Sequence, residues 1–453
     1  MDIKKRVEQE VPEIIKNLRT LVSYPSVLDE PTEDMPFGKA NAECLNAALK
    51  ILSDYGFQTK NVDNYAGYAE IGSGEKLIGM VGHLDVVPVT EGWTSHPFTL
   101  TERGENLYGR GATDDKGPVC CAMAALRIVN ELRPDLDKRI RLVMGCNEEN
   151  GSACLAHYVE KEGHFDLGFT PDGNFPGVYG EKGLLHGHME VKTEDILEAE
   201  GGAAINVVCG KCYLTMKKGS FDLGKFQMAM HARSVAFKIL DDGDPVRIMV
   251  DGVQAHASLP DMGVNAINEA FAALDEAGCK DPAVRFLARY FGTTCHGERL
   301  GIDFEDAYGD LSLNLGIIKK VGDKLHITID IRFPVTKDPE QMRREFLRAT
   351  EGDEDGELFI DELEAPLFFP PDSPLVKALY SAYRDITGDT VNKPMVIGGG
   401  TYAKGIHNTI AFGAEFPDDP DIHMHGDDEY IPIKNLARQT EIYVHALLNL
   451  LDL

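Results

Sequence analysis

KLIGMVGHLDVV, residues 76–87, is the stretch on which the reading of the fold turns. It runs apolar from Leu77 to Val81 and turns polar only at its carboxyl end, with His83 and Asp85, as a strand of a buried sheet does. RIRLVMGC (139–146) and FDLGFT (165–170) repeat that texture. Between the first two strands, GRGATDDKGPVCCAMAALRIVNEL (109–132) reads as a glycine-flanked turn and then a helix with Pro118 as its first residue. Strands alternating with helical patterns predict an α/β fold, a mainly parallel sheet flanked by helices, from residue 1 to about 187.

Moving outward, the texture changes over residues 188–365. In KLHITIDIRFP (324–334), Leu325, Ile327, Ile329 and Ile331 alternate with polar residues, so the strand has one buried face. GVNAINEAFAALDEAG (263–278) and DPEQMRREFLRATEG (338–352) read as helices on that sheet. This is an α+β insert of roughly 180 residues, an ordinary domain size. After the proline-rich joint APLFFPPDSP the first texture resumes over residues 366–453, with a helix beginning near Pro374 and a closing amphipathic helix, PIKNLARQTEIYVHALLNLLDL.

At the other end, Val7, Val11, Ile14, Leu18 and Leu21 make the stripe of an amphipathic helix, not a signal peptide. No apolar run reaches the ~18 residues that span a bilayer. Asp and Glu outnumber Lys and Arg by 74 to 45, a net charge of -29 that repels phosphate backbones and anionic membranes. Neither nucleic acid nor membrane is an expected partner. Nine cysteines, an odd number, predict free thiols in a reducing compartment, the cytoplasm. Cys209 and Cys212 in CGKC have metal-like spacing, but without a second pair they read as reduced core cysteines.

Five places could carry chemistry. His83 and Asp85 lie two apart at a strand end, so the aspartate could orient the imidazole as it binds a metal. Glu148 and Glu149 follow the second strand and could divide labour, one on a metal and one on a proton. Asp172, in TPDG, follows the third, at the sheet edge where open α/β folds bind ligands. Asp114 and Asp115 sit in the turn before the helix. Lys116 makes a phosphate loop the competing thought, but two carboxylates suit a cation better. His423 and His425 lie in HMHGDDEY with Asp427, Asp428 and Glu429, where a polar surface turn is the alternative. Together these offer two imidazoles and three carboxylates, a set for two zinc ions if one carboxylate bridges. Such a site lowers the pKa of a bridging water from 15.7 towards about 7.

The series GHLDVVP, GRGATDDKG, NEE, TPDG, GVQAHAS and H-x-x-D-E-Y, in this order along nearly the whole chain, resembles the co-catalytic zinc exopeptidases, the family of aminoacylase, glutamate carboxypeptidase, carnosinase and the bacterial dipeptidase PepV. The resemblance implies a zinc-exopeptidase catalytic domain with an inserted lid domain, and two zinc ions, with manganese or cobalt as substitutes. It implies that Asp114 bridges the metals, that His83 and Asp172 hold one and Glu149 and His425 the other, and that Asp115 and His423 are not ligands. A cis peptide is expected between Asp114 and Asp115. Glu148 becomes the general base for a metal-activated water, Asp85 the orienter of His83, and His256 the group that stabilises the oxyanion. Asn206 and Arg332 become the lid residues that grip a free carboxylate, a task suited to a guanidinium fork.

The insert resembles the long lid of PepV, which implies a monomer with His256 acting in its own site; a homodimer is the alternative, since many relatives pair through shorter lids. The expected activity is hydrolysis of dipeptides with a free amino terminus, β-alanyl dipeptides included. A deacylase for N-acyl amino acids is the nearest rival. A metal-binding protein without catalysis would lack the base, yet Glu148 is present. Nucleophilic chemistry at Cys120, Cys121 or Cys146 lacks a histidine partner. Hinges are expected near Gly187 and Pro366.

Overall fold

A computed structural model describes residues 2–453. The chain forms two compact units. One runs from the start of the chain to Gly180 and is completed by Phe369–Val396 and Gly400–Leu453; the other comprises Glu181–Phe368 and Ile397–Gly399.

The first unit is built on a sheet in which strand Leu77–His83 is buried along its whole length. Parallel strands Arg139–Gly145 and Leu167–Thr170 pair on its two sides, and Thr409–Ala411 extends the parallel set. The outer strands, Gln58–Val62, Ala66–Ile71 and Val178–Glu181, are antiparallel. The sheet is therefore parallel only in its middle. Both faces are covered. A Cβ on Gly82 would stand 2.6 Å from Val119 of helix Lys116–Leu132, and one on the neighbouring Gly145, facing the other way, 2.1 Å from the Tyr402 hydroxyl. Helix Ile433–Leu451 packs on helix Lys116–Leu132 and on Ile3–Val22 and Pro374–Thr387. The helix after the turn begins at Lys116, so Pro118 is its third residue rather than its first; an amide there has no partner within the helix, and proline loses nothing.

The second unit is a wholly antiparallel eight-stranded sheet. Leu325, Ile327, Ile329 and Ile331 of strand Lys324–Phe333 are fully buried under helices that include Ala266–Glu276 and Pro282–Tyr290. The opposite face carries His186, His188 and Glu190 of strand Gly183–Lys192 beside His326 and Asp330. Gly187, read from the sequence as a joint, is mid-strand, paired with Ile329 on one side and Ile360 on the other. A Cβ there would stand 2.3 Å from the Phe359 carbonyl, so this glycine serves close strand packing.

Among the described residues, no helix is long and apolar enough to cross a membrane. All nine cysteines are free, and Cys209 and Cys212 are buried in the second unit's core.

Candidate active site

In the first unit, the parallel register places Gly145 opposite His83 and Phe169 opposite Met80, so the loops carrying Glu148–Glu149 and Asp172 leave the sheet beside His83. The turn before helix Lys116–Leu132 brings Asp114 to the same edge. His83 Nε2 lies 2.9 Å from Asp114 Oδ1 and 3.9 Å from Asp172 Oδ2. The other Asp114 oxygen lies 2.8 Å from His425 Nε2, which is 3.2 Å from Glu149 Oε2. His83, Asp114 and Asp172 thus offer three ligand atoms within 4.8 Å of one another, and Asp114, Glu149 and His425 offer three more. The Asp114–Asp115 peptide is cis.

Asp85 does more than its spacing suggested. The strand ends at His83, and the imidazole Nδ1 bonds the Asp85 carbonyl oxygen at 3.0 Å, while the nearer carboxylate oxygen is 3.5 Å away. That carboxylate accepts the backbone N–H groups of Glu148 at 3.0 Å and Glu149 at 3.1 Å. Asp85 therefore ties the glutamate pair to the histidine strand. Asp115 turns away from Asp114 and accepts the His83 backbone N–H at 3.1 Å. Lys116 donates to the Tyr24 carbonyl at 2.9 Å, which removes the phosphate-loop alternative. His423 is exposed, with its ring held by the Asp427 carbonyl.

Glu429 is the residue that sequence reasoning passed over. It is fully buried and accepts the backbone N–H groups of Gly111, Thr113 and Asp114, at 3.0, 2.9 and 3.2 Å. The buried Arg110 guanidinium donates at 2.8 Å to Oε2, the oxygen that also accepts from Gly111. One carboxylate thereby shapes the turn that presents Asp114. Its neighbours Asp427 and Asp428 bond Thr90 and Thr94 near the surface. The only signal for Glu429 was its place in H-x-x-D-E-Y; adjacency to exposed carboxylates says nothing about burial. His425 takes φ +59°, a left-handed conformation uncommon for a residue with a Cβ, and such outliers gather at functional sites.

The electrostatics call for cations. Hydrogen bonds to Asp114 and Glu149 push the His425 imidazole up to about 11. Burial alone would lower His83, but Asp114 and Asp85 outweigh it and raise it well above its ordinary value. Burial, and then the charge of Asp172, push the Glu148 carboxyl well up. Glu149 Oε1 is buried without a hydrogen-bond partner. A bridging carboxylate between two imidazoles, flanked by further carboxylates, fits a pair of divalent cations.

In the second unit, Asn206 and His256 come together: the Asn206 carbonyl accepts the Ala257 N–H at 2.9 Å. His256 is exposed and its Nδ1 pairs with the Ser258 hydroxyl at 2.7 Å. Ser258 packs on Gly398, whose carbonyl accepts Arg332 Nη1 at 3.2 Å. Arg332 is buried, and its Nε and Nη2 each reach Asp330 at 2.8 Å. Cys120, Cys121 and Cys146 are buried in the first unit, and burial pushes their thiols up, which leaves no activated nucleophile among them.

The family model for "Peptidase family M20/M25/M40" matches residues 79–449. The protein named "Putative dipeptidase YtjP" of Bacillus subtilis is 33% identical over 468 aligned residues, covering 99% of this chain and 100% of its own. A "Putative dipeptidase" of Staphylococcus epidermidis is 32% identical, with 98% of each covered. The fold matches human carnosine dipeptidase 1 with a TM-score of 0.59 at 20% identity, covering 100% of this chain and 98% of that one. It matches the dipeptidase Dug1p of Saccharomyces cerevisiae with 0.60 at 15%, over the same shares. Members of the family are metal-dependent and typically dinuclear. A family match across most of the chain, and relatives a third identical along all of it, agree with the cation-seeking cluster at the sheet edge: the chain belongs to peptidase family M20/M25/M40 and is a metallo-exopeptidase.

Proposed function

We propose that this chain is a zinc-dependent dipeptidase that hydrolyses dipeptides with a free amino terminus, β-alanyl dipeptides among them. The observation that carries the reading is the Asp114 carboxylate, with one oxygen 2.9 Å from His83 and the other 2.8 Å from His425. Asp114 would bridge two ions, with His83 and Asp172 on one and Glu149 and His425 on the other. When bound, the ions supply Lewis acidity, which brings the pKa of a water towards about 7 and polarises a carbonyl.

Glu148 takes the proton of the attacking water and passes it to the leaving amine. Burial makes its carboxylate more basic, as a group that takes up a proton in the reaction needs to be. Asp85 positions this base by holding its backbone N–H. His256 stabilises the oxyanion. Asn206 and Arg332 bind the substrate's free carboxylate; with Nε, one Nη2 hydrogen and one Nη1 hydrogen committed to Asp330 and Gly398, Arg332 keeps two N–H donors for it. The names of the relatives along the whole chain support a dipeptide substrate. The length of the second unit supports a monomer, and nine free thiols support a cytoplasmic location.

The test is amine release from free dipeptides, tripeptides and N-acetyl amino acids, before and after chelation and with zinc or manganese restored. Cleavage confined to dipeptides and restored by metal is expected. Cleavage of N-acetyl amino acids alone would make the chain a deacylase.

A further inference from the structure

We propose a third metal site, in the second unit, in which Asp261, Cys295 and His296 bind a zinc-class cation. The three side chains offer a carboxylate oxygen, a thiol sulfur and an imidazole nitrogen within 4.8 Å of one another. Cys295 Sγ donates to Asp261 Oδ1 at 3.1 Å, and His296 Nε2 lies 3.0 Å from Asp261 Oδ2. Sulfur, nitrogen and oxygen together are the donors that borderline-soft Zn²⁺ takes, commonly with a water in the fourth position. A cavity of about 190 Å³ lined by Asp261, Asn268, Glu269 and Cys295 gives that water room.

The surroundings orient the histidine. His296 Nδ1 bonds the Leu311 carbonyl at 2.7 Å, and a ring nitrogen facing a carbonyl must carry the proton. In the neutral imidazole this leaves the lone pair on Nε2, the nitrogen facing Asp261. A backbone acceptor on the far nitrogen is the arrangement that orients histidine ligands in metal sites. A lone pair pointed at a carboxylate at 3.0 Å is repulsive unless a cation, a proton or a metal ion, lies between them. The Cys295 carbonyl also accepts the Leu313 N–H at 2.7 Å, so Cys295 and His296 are fixed to the edge of strand Ser312–Val321. Cys295 is the one cysteine of the nine that is not fully buried.

A bound ion would tie the Pro260–Met262 turn to this strand, and that turn follows His256 by a few residues, with the Leu259 N–H bonded to the His256 carbonyl at 2.9 Å. A second cluster in this unit, His188, Glu190 and His326, is less apt, because Lys324 occupies Glu190 at 2.7 Å. Binding displaces the thiol proton to solvent and forms one metal–sulfur bond, with no change of oxidation state.

The test uses the full chain, stripped by chelator and titrated with Co²⁺ and, separately, Cd²⁺. The proposed catalytic ligands contain no sulfur, and neither does the second cluster, so thiolate-to-metal charge-transfer absorption reports this site. The parent should show that absorption and bind one equivalent more than Cys295→Ser or His296→Ala. Both variants should lose the absorption and the extra equivalent while their circular dichroism and dipeptide hydrolysis stay as in the parent. A metal-loaded parent with no charge-transfer absorption overturns the proposal. Absorption that persists in Cys295→Ser assigns the sulfur elsewhere and overturns it equally.

Discussion

The two polar clusters proposed to serve one reaction are built on opposite plans. In the first unit, Asp85, Asp114, Glu148, Glu149 and Asp172 crowd around two imidazoles, and the carboxylates are in excess. In the second, Arg332 is closed on Asp330 and His256 on Ser258, so each group already has a partner in its own unit. A cluster with surplus negative charge is unstable without cations, whereas an internally paired one is stable as it stands. The comparison teaches that charge balance distinguishes a place that recruits an ion from one that meets a substrate.

The largest effect should come from the base. Glu148→Gln keeps the shape of the side chain but cannot accept a proton, and kcat should fall roughly 10²–10⁴-fold with metal content unchanged. Equal rates for variant and parent would break the assignment of the first cluster as the chemical centre. Glu429→Gln should come next, now in stability. It leaves the buried Arg110 without its counter-charge, a defect that costs about 3–5 kcal/mol in buried pairs, read as a lower midpoint in urea. An unshifted midpoint would show that the turn before helix Lys116–Leu132 is shaped without it.

Arg332→Lys sharpens the comparison from the other unit. Lysine keeps the charge but not the fork, and losing a charged hydrogen bond of about 1.5–3 kcal/mol should raise KM for a dipeptide roughly 10–100-fold, with kcat changed far less. A fall in kcat at constant KM would instead place Arg332 in the chemical step.

The smallest effect concerns pH. Burial alone would lower His186, but Asp330 at 3.1 Å outweighs it and raises it above its ordinary value. A folded-state value above the unfolded one means that the pair adds stability below about pH 6.5 and loses it as pH rises through the raised value. His186→Gln should remove that increment, about 1 kcal/mol for one hydrogen bond to a buried aspartate, and flatten the dependence of the unfolding midpoint on pH above 6.5. An unchanged slope would assign the dependence to other groups.

How far the site was legible follows from which residues ended strands. His83 and Asp172 stood out because an apolar run stops at a polar residue, and parallel strands deliver their carboxyl ends to one edge. Asp85 was read as an orienter of His83 from a two-residue spacing; its carboxylate stands 3.5 Å from the imidazole, and the spacing gave no sign that it also accepts the amides of Glu148 and Glu149. Gly187, read as a joint, lies mid-strand for a related reason. A glycine in sequence looks alike whether it bends the chain or lets a neighbouring strand approach, and here it does the second.

By itself the sequence determined the α/β order of elements, the period-two sheet of the second unit, and the residue types of a dinuclear metallopeptidase, because hydrophobic periodicity and an ordered motif series are local properties of the chain. Only the tertiary structure decided that Asp114 lies between His83 and His425, that Glu429 among three adjacent carboxylates is the buried one, and that Arg332 is paired with Asp330. Those are relations of burial and distance between residues up to several hundred positions apart, and they exist only once the sheet has brought the loops together.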